Sequence, residues 1–522
     1  MTEKDHEAPE HNWAGAFCLK EIAPWLGRPL NATDLEAGLA YYNSTHRSVF
    51  LLAIEQGRVR LLAKPGFRVR EEFNDSSAAV EDDAGLVYKE EFIRAEMYRG
   101  FFEHVLAFFQ LPLDATLAID VNDDPVQHVS VPIFAFQKRR GSNTLLVPDV
   151  DFLHNRFYLP AEYRDTIPYR DKTPTAVFAG STTGGRTITE DDVRSLSIPR
   201  LRSAVFFKDK GAVDFRLPRI VQCASRETEQ MIEALGFGVG RCSWAQQFSH
   251  RLILSMDGNG ATCSRVAISL NSNSALLKYD SPHQLYYFNE LVPWRHFIPV
   301  SSDAEVLDVV EAERRRPGAF QAIAEEGRAL ARTYLSWRGV AAYTAALLAT
   351  YAEHVRETGP RLWTRWHDDT VSSLLDRCAT VPDVEVEVEV EAGAHIQGLG
   401  DVWAWPGEWV GGRGAGRAIE AVVIAPGRPL GYEDVEYRVV LADGALSEWA
   451  RGGELCGTRG RNAPLQGLCV RLSASAEASY DCAYRASFIG NLIPTSSRAG
   501  GVCAGGGAPL EAFRIEIIRK GR

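Results

Sequence analysis

The sequence predicts two Rossmann-like α/β domains that face a cleft, followed by an all-β domain built from three repeats. Two observations carry this prediction. Over the first two thirds of the chain, short apolar runs alternate with segments of helical periodicity, which is the pattern of βαβ units. Beyond residue 391 the helical patterns disappear, glycine and tryptophan become more frequent, and one pattern recurs three times.

Length and composition are those of a large globular protein. The chain has 522 residues, which is too long for one ordinary core, and 45% of its residues are hydrophobic and 24% charged. Its formal net charge of -11 argues against a nucleic-acid partner, because neutralising phosphates requires a basic surface.

Three further features predict a cytoplasmic protein. The first residues, MTEKDHEAPEHNWAG, are polar and acidic, unlike a signal peptide. No apolar run approaches the roughly eighteen residues of a membrane span, which leaves at most peripheral contact with a membrane. Nine cysteines without a CxxC pair are typical of reduced thiols rather than of disulfides or zinc ligands.

The first domain is expected over residues 1–168 and the second over 169–345. Apolar runs in the first predict strands over 48–53, 59–63 and 117–121, and an amphipathic pattern predicts a helix over 90–109. In the second, strands are predicted over 176–178, 204–207, 252–256, 275–277 and 297–300. Helices are predicted over 305–310, 320–335 and 340–355, and a helical return segment over 346–380.

A glycine-rich loop follows the predicted strand 252–256. It begins Asp257-Gly258-Asn259-Gly260, and Ser264 and Arg265 then open a short helical segment, 266–270. Glycines let a ligand approach the backbone closely, and the amino end of a helix attracts anions. The loop therefore predicts a phosphate cradle, with an ordinary strand-to-helix turn as the alternative.

A carboxylate also follows the predicted strand 117–121, in the sequence Asn122-Asp123-Asp124-Pro125. The carboxyl ends of strands in α/β sheets are where ligands bind. Asp123 is therefore a candidate catalytic residue, and the alternative is a turn that only caps the strand.

Four motifs occur in order along the first 300 residues: DDP at 123–125, FAGSTTGGR at 178–186, DGNGATCSR at 257–265 and PWRHFIPV at 293–300. A serine-rich turn into the strand 275–277 lies between the last two. Taken together, these motifs resemble glycosyltransferase family 90.

The resemblance implies a GT-B fold and an inverting, metal-independent glycosyltransferase. Its donor substrate would be a UDP-sugar carrying glucose, xylose or a related sugar, with no cofactor. The acceptor would be a hydroxyl of a bacterial surface glycan, such as lipopolysaccharide or another lipid-linked saccharide. In the family an Asp in an Asp-aromatic-Pro setting is the base, which implies this role for Asp123. Because Asn122 and Asp124 depart from the family pattern, Asp124 and Asp120 stay open as alternatives.

The remaining site residues also follow from the resemblance. Three arginines are candidates for stabilising the charge that grows on the diphosphate: Arg186, Arg251 and Arg265. Loop residues expected to contact the donor are Gly180, Ser181, Thr182, Thr183, Asp257, Gly258, Asn259, Gly260 and Ser264. His296 is expected to be structural or near the donor.

The three repeats lie in the predicted domain 381–522, whose start, VPDVEVEVEVE, is either a linker or the first strand. The matched positions Ile419, Leu465 and Leu510 are 46 and 45 residues apart. The pattern resembles the clostridial hydrophobic Trp repeat, and a β-prism or trefoil-like fold would bury three such units around one core. Candidate sugar platforms, unless they are core residues, are Trp403, Trp405, Trp409 and Trp449.

Two other functions stay open. A glycosyltransferase-like scaffold without activity would use the C-terminal repeats to bind glycan or protein. A phosphorylase or a sugar-nucleotide epimerase would also use twin Rossmann-like domains, but the chain has no GxGxxG after its first strand, which argues against the epimerase.

Overall fold

The computed structural model describes nine stretches of the chain, which fall into two units. The described residues are 13–26, 31–65, 67–71, 78–82, 89–261, 263–356, 388–427, 429–491 and 493–520. The first unit comprises Met1–Phe157 with Glu162–Val381, and the second comprises Tyr158–Ala161 with Pro382–Arg522.

The first half of the first unit is a mixed sheet with helices around it. Its elements are α1 (Trp13–Leu26), α2 (Ala32–Thr45), β1 (Val49–Glu55), β2 (Arg58–Leu61), β3 (Phe67–Glu71), β4 (Ala78–Asp82), α3 (Lys89–Phe108), β5 (Ala115–Asp120), β6 (Ile133–Ala135), β7 (Lys138–Arg139), β8 (Leu145–Leu146) and α4 (Val150–His154). The sheet order is β2-β1-β5-β6-β8, and β3 pairs only with β4.

This sheet differs from the Rossmann-like sheet that the sequence predicts. Strands β5, β6 and β8 are parallel, but β1 is antiparallel to both β2 and β5. The tight turn at Gln56 and Gly57, whose φ angles are 50° and 76°, joins β1 and β2 as a hairpin and makes this pair antiparallel.

The second half of the first unit is a parallel, doubly wound sheet. Its elements are β9 (Thr173–Ser181), α5 (Glu190–Ser195), α6 (Pro199–Phe207), β10 (Val213–Arg219), α7 (Arg226–Ala234), α8 (Trp244–Gln247), β11 (His250–Ser255), α9 (Cys263–Leu270), β12 (Ala275–Tyr279), β13 (His283–Gln284), β14 (Ile298–Val300), α10 (Asp303–Arg315), α11 (Gln321–Tyr334) and α12 (Trp337–Arg356). The sheet order is β10-β9-β11-β12-β14, and every pair is parallel. The Rossmann-like prediction is confirmed for this half.

One predicted strand is wrong. Residues 204–207 lie at the end of α6, where Leu201, Ala204 and Phe207 are buried at intervals of three residues, the spacing of a helix face. The strand that the sheet needs at this edge is β10, which alternates buried and half-buried residues. A four-residue apolar run cannot distinguish the two structures.

A short ribbon joins the two halves. Strand β7 pairs with β13, with Arg139 opposite His283. Beside it, the Arg140 backbone N–H donates to the Pro282 carbonyl at 2.8 Å, and the Arg140 side chain pairs with Asp280 at 2.7 Å. The ribbon fixes loops at the carboxyl ends of the two sheets next to each other.

The described residues of the second unit form β-strands with one short α-helix, α13 (Ala474–Ser479), and one 3-10 turn, Tyr432–Asp434. Its strands are β15 (Val390–Ile396), β16 (Gly400–Ala404), β17 (Val410–Gly411), β18 (Ile419–Pro426), β19 (Val435–Val440), β20 (Ala450–Arg451), β21 (Cys456–Gly457), β22 (Gly467–Leu472), β23 (Tyr480–Phe488), β24 (Thr495–Arg498), β25 (Val502–Ala504) and β26 (Leu510–Arg519). They form three four-stranded sheets, ordered β16-β15-β18-β21, β20-β19-β22-β25 and β17-β26-β23-β24.

These sheets have a threefold internal likeness. Each takes three strands from one repeat and a fourth from another, and β17 of the first repeat completes the sheet of the third. The matched residues Ile419, Leu465 and Leu510 are all buried. The Leu465 N–H donates to the Ile419 carbonyl at 2.8 Å, and the Leu510 N–H to the Leu465 carbonyl at 2.7 Å. The prediction of three all-β repeats agrees with this arrangement, while the prism or trefoil-like fold stays a prediction.

Three further predictions concern the return segment, the cysteines and membrane spans. The return segment 346–380 is helical in α12 as far as Arg356, and the rest of it, like residues 381–387, lies outside the described residues. Seven cysteines are free thiols: Cys18, Cys223, Cys242, Cys456, Cys469, Cys482 and Cys503. No helix within the described stretches has the length and apolar character needed to cross a lipid bilayer.

Candidate functional site

Asp123 lies in the loop after β5, where the loops of the two halves meet. Its Oδ1 accepts a hydrogen bond from Arg94 Nη1 at 3.0 Å, and its Oδ2 is 3.5 Å from Asn259 Nδ2. Arg94 also donates to the Val121 carbonyl at 2.9 Å, so α3 holds the loop. The Asp123 side chain is 42% exposed, which leaves it accessible beside the Asn259 loop.

The two alternatives to Asp123 have other roles. Asp120 is 1% exposed, and its carboxylate accepts the N–H groups of Asn122 at 3.1 Å and Val126 at 2.9 Å. It therefore shapes the turn that presents Asp123. Asp124 is 62% exposed and lies 3.5 Å from Arg139, on the surface of the loop.

Asn259 connects three loops. Besides facing Asp123, its Oδ1 accepts the N–H of Gly185 at 3.3 Å. It therefore brings the loop after β9 and the loop after β11 to the loop after β5. This residue comes from the predicted glycine-rich loop, and the structure places it at the junction.

Arg200 is a buried cation in the same place. From α6, it donates to the Ser181 carbonyl at 3.0 Å, to Thr183 Oγ1 at 2.9 Å, to the Met256 carbonyl at 2.8 Å and to the Asp257 carbonyl at 3.0 Å. Burial lowers the pKa of Arg200 to about 10, although Asp257 opposes this shift. Arg200 thus ties the two predicted donor loops together.

Arg265, on α9, is a second buried cation. Its Nη1 donates to Gln247 at 3.0 Å and its Nη2 to the Ala179 carbonyl, and its guanidinium lies 4.6 Å from the ring centroid of Phe178. Its buried Nε has no hydrogen-bond partner. Burial, followed by the charge of Arg200, lowers the pKa of Arg265 to about 9. An anion beside these two arginines would offset the cost of burying them.

Close packing accounts for the glycines of the loops. A Cβ at Gly258 would lie 2.5 Å from Thr183 Oγ1 and 2.8 Å from Arg200 Nη2. A Cβ at Gly260 would overlap the side chain of Gln137, and one at Gly180 would lie 2.9 Å from the Phe178 ring. Both donor loops therefore need glycine in order to pack against the arginines and the first half.

Most polar side chains of the two loops form hydrogen bonds within the protein. Asp257 accepts from the Ser281 hydroxyl and lies 2.8 Å from His283 Nδ1. The Ser181 hydroxyl is 3.3 Å from that of Thr183, and Thr182 bonds both the N–H and the carbonyl of Val221 at 2.9 Å. Thr182 thus fastens the loop to the end of β10.

Two predicted arginines lie in different surroundings. Arg186 makes a bidentate pair with Asp192, whose carboxylate also accepts from Thr189 at the start of α5. Hydrogen bonds from Arg186, Ser197 and Thr189 hold the pKa of Asp192 far below its usual range. Arg251 is the second residue of β11, at the end of this strand that is opposite the loops. It donates to Glu313 at 2.9 Å and to the carbonyls of Lys172 and Arg170 at 3.1 and 2.9 Å.

His296 closes a turn. Its Nδ1 accepts the Val292 N–H at 3.1 Å, and burial lowers the pKa of this imidazole. Both observations favour the structural role, one of the two alternatives expected for it.

A cavity of about 510 Å³ lies at the carboxyl ends of β12 and β14. Its walls include Phe288 and Phe297, and its polar residues include Lys278. Ser281 and His283, which hold Asp257, also line it, so the cavity adjoins the glycine-rich loop. An apolar wall beside a few polar groups is typical of a small-molecule site.

The C-terminal tryptophans differ in their surroundings. Trp403 is 37% exposed and its ring covers Gly393, where a Cβ would lie 2.5 Å away. Trp409 lies 5.0 Å from the Arg413 guanidinium, and Trp449 lies 4.4 and 3.9 Å from those of Arg438 and Arg471. Sugar binding by these residues, and by Trp405, stays a prediction.

Sequence reasoning missed Arg94, Gln137 and Arg200. Arg200 lies four residues before a segment predicted as a strand. Its four acceptors lie at the ends of β9 and β11 and in the loops that follow them, which only the fold brings together. Gln137, after β6, donates to the Asp123 carbonyl and covers Gly260. In the part of the chain that the structure describes, no group of three or more His, Cys, Asp or Glu side chains is arranged to hold a metal ion.

Comparison with known proteins gives a family match and partial relatives. The family model Glycosyl transferase family 90 matches residues 108–366. Protein O-glucosyltransferase 2 of Danio rerio is 30% identical over 125 residues, covering 24% of this chain and 25% of the relative. Protein O-glucosyltransferase 3 of Homo sapiens is 28% identical over 107 residues, covering 20% and 21%. The chain thus spans a quarter or less of the length of these relatives.

A solved structure is also similar in part. It is the C-terminal domain of a glycosyl transferase group 1 family protein, LpcC, from Francisella tularensis. The sequence identity is 14%, the match covers 35% of this chain and 98% of the other, and the TM-score is 0.22.

Proposed function

Since residues 108–366 belong to glycosyltransferase family 90, we propose that this protein transfers a sugar from a UDP-sugar to a hydroxyl group of a glycan. The proposed reaction is a single inverting displacement without a metal ion, on a GT-B arrangement of the two α/β halves. The sugar is glucose, xylose or a related sugar, and the acceptor belongs to a bacterial surface glycan or lipopolysaccharide. Synthesis takes place in the cytoplasm.

Asp123 is the proposed base. In the displacement, the acceptor oxygen attacks the anomeric carbon opposite the departing UDP, and Asp123 takes the proton from that oxygen. Its carboxylate is accessible, and the hydrogen bond from Arg94 at 3.0 Å holds it in place in the loop. Proton transfer by a positioned base contributes roughly 10²–10⁴-fold to the rate.

Arg200 and Arg265 are the proposed partners of the diphosphate. Both guanidiniums are buried, and the Arg265 Nε is a buried donor without a partner. Because an arginine with a free N–H suits phosphate oxygens, the pair can stabilise the negative charge on the departing UDP without a metal. This orphan donor beside the glycine-rich loop is the observation that carries the proposal.

The nucleoside is proposed to occupy the cavity at the ends of β12 and β14. Its volume of about 510 Å³ leaves room for a uridine, and Phe288 and Phe297 offer apolar surface to the base. The cavity adjoins Asp257 through Ser281 and His283, on the side where the diphosphate loop begins. Ligands of open α/β sheets occupy this edge.

Thermal unfolding of the full-length protein with UDP, ADP and GDP tests the donor site. A bound ligand raises the apparent midpoint according to its affinity and concentration. UDP should raise the midpoint more than ADP or GDP does, and in a separate assay the protein should release UDP from a matching UDP-sugar in the presence of acceptor. If UDP does not raise the midpoint, the proposal is wrong, and a scaffold without activity is favoured instead.

A further inference from the structure

Two carboxyl groups outside the donor loops face the same junction. Asp149 precedes α4 and is 1% exposed, and its Oδ1 accepts the Asp151 N–H at 2.8 Å. Its other oxygen, Oδ2, is buried without a hydrogen-bond partner. Asp149 therefore sets the start of α4 and the direction of Asp151.

Asp151 reaches the donor half. Its Oδ2 lies 3.3 Å from the backbone N–H of Ser264, which donates to it, and the Ser264 hydroxyl bonds the same carboxylate. Ser264 directly precedes Arg265, so this carboxylate lies next to the proposed diphosphate site. On the other side, Asp123 and Arg94 are close enough to Asp149 to affect its ionisation.

A third polar side chain at the junction is incompletely bonded. Gln137 is 2% exposed, and its Nε2 donates to the Asp123 carbonyl, but its Oε1 is buried without a partner. Buried polar atoms in proteins are almost always paired. The unpaired Gln137 Oε1 and the unpaired Asp149 Oδ2 therefore indicate a ligand with hydroxyl groups, which can donate to an amide oxygen and accept from a protonated carboxyl group.

The positions of the proposed diphosphate site and the proposed base identify that ligand. In the proposed reaction the anomeric carbon is bonded to the diphosphate and is attacked by an oxygen beside Asp123, so the transferred sugar must lie between Arg265 and Asp123. We propose that Asp151, positioned by Asp149, and Gln137 bind hydroxyl groups of that sugar and select neutral sugars over hexuronates. This inference rests on the proposed function.

The negative charge of a hexuronate is the proposed reason that the site excludes it. A hexuronate brings a carboxylate in place of the CH₂OH of glucose, into a site that already contains Asp123 and Asp151. Arg94 is committed to Asp123 and to Glu90, at 3.0 and 2.9 Å. An added like charge in a partly buried site is repelled, and such a repulsive element is an effective source of specificity.

Binding of UDP, UDP-glucose and UDP-glucuronate to the full-length protein tests this selection, because the two sugars differ only at C6. Wild-type protein should bind UDP-glucuronate at least about tenfold more weakly than UDP-glucose. Asp151→Asn, which retains an acceptor for Ser264, should bind UDP as wild type does and reduce the difference to about threefold or less. Asp191→Asn, on the exposed face of α5 where this side chain is 92% accessible, should retain the wild-type difference.

The outcomes separate the two proposals. If wild-type protein binds none of the three, the proposed function fails. If UDP and UDP-glucose bind and UDP-glucuronate binds equally well, the selection alone is overturned. It is also overturned if Asp151→Asn keeps the wild-type difference while binding UDP normally.

Discussion

The side-chain amide of Asn259 lies 3.5 Å from the carboxylate of Asp123, and the two residues come from different halves of the first unit. Asn259 belongs to the glycine-rich loop after β11, and Asp123 to the turn after β5. This contact places the proposed base beside the proposed donor loop. The proposed function requires that proximity.

Arg265→Met should abolish the stabilisation by UDP. The variant removes the orphan Nε–H, and affinity should fall at least about tenfold, as for loss of a charge-assisted hydrogen bond. The free protein should unfold within a few degrees of wild type, because removing a buried cation without a carboxylate partner also removes its desolvation cost. Thermal unfolding with and without UDP measures both effects.

Arg186→Met is the matched control for Arg265→Met in the thermal experiment with UDP. The pairing of Arg186 with Asp192 at the start of α5 predicts a small loss of stability and an unchanged response to UDP. A lost response to UDP would instead support the donor role that the sequence motif implies for Arg186. The same thermal experiment decides between these two outcomes.

Asp149→Asn should stabilise the free protein more at pH 7 than at pH 5. Burial, followed by the neighbouring Asp151, raises the pKa of Asp149 well above its usual range. The folded protein therefore retains a proton that the unfolded chain loses above about pH 4, and stability falls as pH rises, by up to about 1.4 kcal/mol per pH unit. Asparagine also caps helices well and does not ionise. The free energy of unfolding of variant and wild type is measured at both pH values. An equal difference between the two proteins at pH 5 and pH 7 would contradict the prediction.

Glu511→Ala should destabilise the second unit by about 3 kcal/mol, because it leaves buried donors unpaired. Glu511 is 2% exposed and accepts from Gly414 N at 2.8 Å, Ser487 Oγ at 2.9 Å and Gly416 N at 3.2 Å. Glu516→Ala, whose side chain is 38% exposed, should have little effect. Chemical denaturation of both variants checks the contrast, and similar losses would show that Glu511 has no special role.

The sequence predicted those parts of the site that lie within one motif. The strand that precedes Asp123 and the loop containing Asn259 are local patterns, and each residue follows the carboxyl end of a strand in its own sheet. Arg200 escaped prediction because its acceptors belong to Ser181, Thr183, Met256 and Asp257, which only the fold brings together.

The same reason explains two differences in the fold. The segment 204–207 has strand-like composition, but its packing depends on Leu201 and on a helix that starts at Pro199. In the first sheet, the antiparallel pairing of β1 with β2 depends on the turn at Gln56 and Gly57 rather than on the apolar runs themselves. Neither feature appears in the apolar pattern of a short strand.

The role of Asp123 as the base is tested by the rate at which Asp123→Asn releases UDP from a UDP-sugar in the presence of acceptor. The variant should lose at least about a hundredfold in rate, as expected for removal of a general base, while UDP still raises its thermal midpoint. Asp124→Asn, on the exposed surface of the same turn, should stay within about threefold of wild type, since surface substitutions away from a site have small effects. Activity of Asp123→Asn close to that of wild type would contradict the assignment of Asp123 as the base.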